Sequence, residues 1–148
     1  MKYNSNIADN YVEVPANTKV YLKKESTGFS NATYQYNIQT SGTASLKIDV
    51  FGTLNSLNNG SDTLSVDIFS GLFRDNKHLQ HASGLLFKST TLANYCYANM
   101  FYKCSGLITA PAEFPATSLA KGCYSGMFAD CTNLTTPPSI LPATILAQ

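Results

Sequence analysis

LANYCYANMFYKCSGL, residues 92–107, is followed at 119–134 by LAKGCYSGMFADCTNL. Both cysteines return in place. Aligning 92–118 with 119–145 pairs Leu92/Leu119, Ala93/Ala120, Cys96/Cys123, Tyr97/Tyr124, Met100/Met127, Phe101/Phe128, Cys104/Cys131, Leu107/Leu134, Thr109/Thr136, Pro111/Pro138, Pro115/Pro142, Ala116/Ala143 and Thr117/Thr144. Thirteen of 27 positions agree, more than composition produces, and self-similarity at this period marks a repeat architecture. A fainter copy precedes them at an offset of 28: LSVDIFSGLFRDNKHL, 64–79, sets Leu64 on Leu92, Ile68 on Cys96, Phe73 on Phe101 and Asn76 on Cys104. The units are 64–91, 92–118 and 119–145, and a fourth begins at Leu146 and is cut off.

The spacing of Leu92, Cys96 and Met100, with Tyr97 and Phe101 beside them, predicts one face of a short helix. Leu107 and Thr109 alternate as a short strand would. APAEFPAT (110–117) and PPSILPAT (137–144) follow, where proline forbids a helix interior or a central strand. Each unit is expected to be helix, strand and extended return, burying its apolar face only against its neighbours. The expected core ladders are Leu92, Cys96, Met100, Phe101, Cys104 and Leu107, answered by Leu119, Cys123, Met127, Phe128, Cys131 and Leu134.

The pattern MFxxCxxLxxxP, with LPAT following, resembles the BspA-like subclass of leucine-rich repeats found in surface proteins of gut and oral bacteria. VPANTKVYLKKE, 14–25, is similar to the β-rich segment that leads into such arrays. The resemblance covers most of the chain, strongly over 92–145 and weakly before 64. It implies a leucine-rich-repeat solenoid, an α+β repeat with a short helix and a short strand per unit. It also implies an exported protein, at the cell surface or extracellular, whose signal peptide lies outside this sequence, and a role in adhesion. Arrays of this kind usually carry more repeats and a closing segment. An uncapped last repeat would expose its core edge and could associate end to end.

Residues 1–63 lack the period. YVEV (11–14), TKVYLKK (18–24), TYQYNIQT (33–40) and SLKIDVF (45–51) are strand-like and separated by turn-rich stretches. They are expected to form a small antiparallel β cap over the first repeat of the array at 64–148. A carbohydrate-binding β-domain is the sharper alternative.

Composition narrows the function. Charged residues are 13% of the 148, about half the usual share of roughly 25%. The net charge is +1 with no run of Lys or Arg, which argues against nucleic-acid capture. No apolar stretch of about 18 residues suggests a membrane span. The four cysteines are spaced Cys-x7-Cys within a unit, unlike the close pairs of zinc sites. The first unit has Ile68 and Asn76 at those positions, so buried free thiols are expected. At the second position Asn or Cys would satisfy backbone groups of the turn. Disulfides stay open, because neighbouring rungs lie about 5 Å apart and export permits oxidation. His78 and His81 have no third ligand in reach and are expected in solvent. Serines occur without GxSxG, and the acids Asp62, Asp67, Asp75, Glu113 and Asp130 are scattered. The sequons at 31–33 and 133–135 are weak patterns.

No catalytic, metal or cofactor residues are assigned, and an enzyme is not expected. Positions that drift between copies are those a stack does not dictate, so a partner-reading surface is expected at Tyr95, Tyr102, Lys103 and Asp130, or on the strand face at Thr109 and Thr136. The expected function is a non-enzymatic recognition or adhesion scaffold for a host or bacterial surface protein or glycan. The alternative is a carbohydrate-binding accessory module of a polysaccharide-using system.

Overall fold

The computed structural model describes residues 37–145 apart from Ser41 and Asn59. The stretches at 11–14 and 18–24, Tyr34 and Tyr36, the 31–33 sequon and the unit starting at Leu146 lie outside the described residues. Successive units lie on one another in register. Phe73, Phe101 and Phe128 form one column of rings, with centroids 5.4 Å apart at each step and planes within 13°. Phe69, Tyr97 and Tyr124 form a second, 5.8 Å per step and 6° between planes.

The expected helix-plus-strand solenoid is overturned by the backbone. Among the described residues there is no α-helix, and the one short helical element is a 3₁₀ turn at Leu54–Leu57. The segments predicted to be helical are spirals of overlapping turns. In 92–104, the N–H groups of Cys96, Ala98, Met100, Tyr102 and Cys104 donate to the carbonyls of Ala93, Tyr95, Tyr97, Asn99 and Phe101, three residues back. The alternate N–H groups leave the coil: Tyr95, Tyr97, Asn99, Phe101 and Lys103 donate to Lys121, Cys123, Ser125, Met127 and Ala129 of the next unit at 2.8–3.0 Å. An α-helix keeps its backbone bonds within itself. Here every second N–H binds a neighbouring coil, and 64–76 repeats the scheme, with Asp67, Phe69, Gly71, Phe73 and Asp75 donating to Asn94, Cys96, Ala98, Met100 and Tyr102.

The spiral has a strict period of four. Positive φ recurs at Asp67, Gly71 and Asp75, at Tyr95, Asn99 and Lys103, and at Gly122, Gly126 and Asp130. Two residues of each turn point in, Cys96–Tyr97 and Met100–Phe101; of the pairs between them Asn94–Tyr95 and Lys103 are exposed, while the small Ala98 is covered. An α-helix turns about 100° per residue, so positions four apart drift about 40° each time, and Leu92 and Cys104 would differ by about 120°. The turn spiral holds them in line.

The opposite wall is parallel β-structure. β1 (Ile48–Thr53) pairs with β2 (Leu79–Leu86), matching Ile48 to Leu79 and Thr53 to Leu86. Later units continue it only as isolated parallel bridges: His81 to Thr109 to Thr136, Glu113 to Ile140, and Ser118 to Ile145. The cause is proline. Unit 64–91 has none, and its strand is unbroken, whereas Pro111, Pro115, Pro138 and Pro142 supply no N–H to a ladder. The antiparallel cap is therefore corrected where it can be seen. β1 is parallel, and 37–40 forms no strand but is tied down by Ile38 N–H donating to Leu72 O at 2.6 Å.

Between the walls lies the core. Of the expected ladder residues, Cys96, Met100, Phe101, Cys104, Leu107, Cys123 and Met127 are buried, while Leu92, Leu119, Phe128, Cys131 and Leu134 pack partly buried against them. Phe87 and Phe114 project from the strand wall and meet Tyr97 and Tyr124 at 4.8 and 5.0 Å between centroids. Such edge-on arrangements add about 0.5–1.5 kcal/mol per pair beyond area burial.

Candidate functional site

The outward residues of the spiral wall are set by the backbone, not by side-chain packing. Tyr95, Lys103 and Asp130 occupy left-handed positions, with φ of 54°, 57° and 60°. That conformation costs a residue with a Cβ roughly 1–2 kcal/mol; inter-coil bonds on either side hold Tyr95 and Lys103, and the bond that Ala129 O accepts from Lys103 holds Asp130. The columns drift by compensation as well as by freedom. Tyr95 lies over Gly122, where an added Cβ would run into the tyrosine ring, and Asn99 lies over Gly126 in the same way. The exchange of a large residue for glycine between adjacent coils is thus partly dictated by the stack. This corrects the expectation that drifting positions are free.

The structure divides the six candidate residues between two walls. On the spiral wall, Tyr102 is half-buried between two cations, with Arg74 Cζ 5.0 Å and Lys103 Nζ 5.1 Å from its ring centroid. Both distances are within reach of cation–π attraction, worth about 0.5–1 kcal/mol at exposed sites. Arg74 also pairs with the exposed Asp75 at 3.3 Å. Asp75, Lys103 and Asp130 form one column of alternating charge along the stack. Tyr95 is 37% exposed two turns away. Arg74 was missed in the sequence, although its signal was present: it occupies the column of Tyr102 one unit earlier.

On the strand wall, Thr109 is half-buried and Thr136 exposed, in one line with His81 and, through β1, Asp49. His81 Nδ1 and Thr109 Oγ1 are hydrogen-bonded at 2.9 Å, and His78 Nδ1 and Thr40 Oγ1 at 2.9 Å. The histidines expected in solvent are therefore half-buried, each satisfied by a different threonine. Among the described residues no three His, Cys, Asp or Glu side chains gather as a metal site needs.

The four cysteines are free thiols. Cys104 Sγ–H donates to Phe73 O at 2.9 Å and Cys131 Sγ–H to Phe101 O at 3.0 Å, each reaching the preceding coil. Asn76 does the same from the first unit, its Nδ2 donating to Ile38 O at 3.0 Å. Burial pushes the Cys96 and Cys104 thiols up to about 12 and Cys131 up to about 11, and raises Cys123 for the same reason. The phenols of Tyr97 and Tyr124 are likewise raised, chiefly by burial. Such thiols are overwhelmingly protonated at neutral pH and make poor nucleophiles.

Comparison with protein-family models, curated proteins and solved structures finds no match. Among the described residues, no helix is long and apolar enough to cross a membrane.

Proposed function

We propose that this chain is a non-enzymatic recognition scaffold, exported and displayed at a cell surface, where it binds a protein or glycan partner. The observation that supports it best is the Arg74–Tyr102–Lys103 cluster with Tyr95 beside it. An aromatic ring flanked by two cations offers stacking and charge-assisted hydrogen bonds together, the combination recognition surfaces favour. The backbone ladder fixes these side chains from below, so a partner meets a surface already ordered and spends little on ordering it. The likeness of MFxxCxxLxxxP to BspA-like repeats supports placement outside the cell.

The test is a panel of surface glycans and extracellular proteins titrated calorimetrically against the chain and its Tyr102→Ala and Arg74→Ala variants. A ligand that binds the parent and loses about ten-fold or more with both variants supports the reading. Ligands found by the panel that are indifferent to both changes would remove this surface from consideration.

A carbohydrate-binding accessory module is the second reading, favoured by Tyr95. Its ring is exposed and held over Gly122, a flat aromatic face of the kind sugars stack on. Tyr95→Ala would then weaken neutral polysaccharide binding more than Arg74→Ala does.

A further inference from the structure

The backbone-to-backbone inter-coil bonds of the spiral wall all run one way, whereas the side-chain bonds of Cys104 and Cys131 to Phe73 O and Phe101 O, and of Lys121 N–H to Asn94 Oδ1, run back. Five N–H groups of 64–79 donate to carbonyls of 92–104, and five of 92–104 donate to carbonyls of 119–131. The equivalent donors of the third coil are the N–H groups of Gly122, Tyr124, Gly126, Phe128 and Asp130. Among the described residues none of the five has a hydrogen-bond acceptor. The side chains on that face are also less covered. Tyr97, Phe101, Cys104 and Leu107 are almost fully buried, whereas Tyr124, Phe128, Cys131 and Leu134 are only half-buried.

This face is selective by its polarity. It presents donors at every second residue of the spiral and no acceptors between them. An ordinary strand edge presents an N–H and a C=O from each residue that faces the edge, so a strand laid here would set donors against donors. Two copies meeting through this face would do the same. The first coil of this chain is no better complement. Two of its acceptors are taken, Leu72 O by Ile38 N–H and Arg74 O by Gln39 Nε2. What fits is a row of carbonyls at the same spacing with aromatic rings beneath it, and that is the acceptor face of another coil of this repeat.

We propose that the far face of the third coil is a docking site for a homotypic coil. The occupant is a coil of this same repeat type, with paired apolar residues every fourth position and residues tolerant of left-handed φ between them. It accepts the five N–H groups and adds a ring to each aromatic column. The inference rests on backbone polarity alone and holds whether or not the Arg74–Tyr102 surface binds anything.

The probe is a synthetic peptide of residues 119–145, whose Lys121, Cys123, Ser125, Met127 and Ala129 carbonyls already play the acceptor part against the second coil. It is titrated into the unaltered chain and amide exchange is followed by NMR. Before addition, the amides of Tyr95, Tyr97, Asn99, Phe101 and Lys103 are protected and those of Gly122, Tyr124, Gly126, Phe128 and Asp130 exchange freely. Saturating peptide slows those five by about ten-fold or more and leaves β1 unchanged. A scrambled peptide, or one carrying Phe128→Asp, does not. Protection elsewhere, equal protection by the scrambled peptide, no protection at all, or dimerisation of the chain alone through this face would each overturn the proposal.

Discussion

Truncating one ring column at different heights measures what stacking contributes. Phe101 is fully buried, with Phe73 above it and Phe128 below it, each 5.4 Å away between centroids. Phe128 is half-buried, with one column neighbour and Phe114 at 6.4 Å. Phe→Ala in a closed core costs about 3–5 kcal/mol, and losing two stacked partners places Phe101→Ala at the top of that range, about 5 kcal/mol. The same change at Phe128 removes a ring that water already reaches and should cost about 2 kcal/mol. Urea unfolding with a shared m-value gives both numbers. In thermal terms the difference of about 3 kcal/mol corresponds to roughly 10 °C. Should Phe101→Ala not fold, Phe101→Leu against Phe128→Leu preserves the order at about half the size. Equal losses at the two positions would refute the stack as the source of stability, because the residue type is identical and the two sites differ in how much of the ring the neighbouring coils cover.

Gly122→Ala should cost about 1–2 kcal/mol, since a Cβ at φ 59° is strained and meets the Tyr95 ring; in a double-mutant cycle Tyr95→Ala should recover the steric part by chemical denaturation. The buried thiols should be inert to a disulfide reagent at pH 8 until the chain unfolds, with Cys131, the half-exposed one of the four, reacting first. Because burial raises these thiols from an ordinary 9.0 to about 11 to 12, the unfolded chain ionises first as pH rises; their stabilisation is whole below pH 9 and should fall steadily between pH 9 and 12 in urea titrations. Asn76→Leu removes three bonds made from a site 1% exposed, to Ile38 O, Thr40 Oγ1 and His78 N–H; it should cost about 2–3 kcal/mol and raise hydrogen exchange first at Ile38 and β1.

The period, its phase and the inward set were legible because side-chain identity repeats wherever one coil covers the next. The helix was not, and the reason is instructive. Leu92, Cys96, Met100 and Cys104 recur at a true four, and paired apolars at 96–97 and 100–101 say two in, two out. A second signal agreed and was not used: Asp67, Gly71 and Asp75, then Gly122, Gly126 and Asp130, place left-handed-tolerant residues at the same interval. Helices do not spend glycine or aspartate that regularly. SLKIDVF reads as a strand, and Ile48 and Val50 of β1 do pack against the core, but a parallel or an antiparallel neighbour buries that face alike, so strand direction stayed hidden. The repeat already set Arg74 in the column of Tyr102, but that its guanidinium and the Lys103 ammonium both approach the Tyr102 ring needed coordinates, because the side-chain identities differ from coil to coil.

The prolines that break the strand wall have a bearing on how the molecule behaves when crowded. In the third coil Pro137, Pro138 and Pro142 stand on the stretch that would otherwise be an unpaired β edge, the surface through which sheet proteins recruit one another indiscriminately. Pro137 replaces the donor that Ala110 supplies one unit earlier, and the prolines that follow hold the chain off a regular ladder, so fibril seeds find no continuous template. Concentrated solutions should therefore stay clear and leave amyloid-sensitive dyes dark.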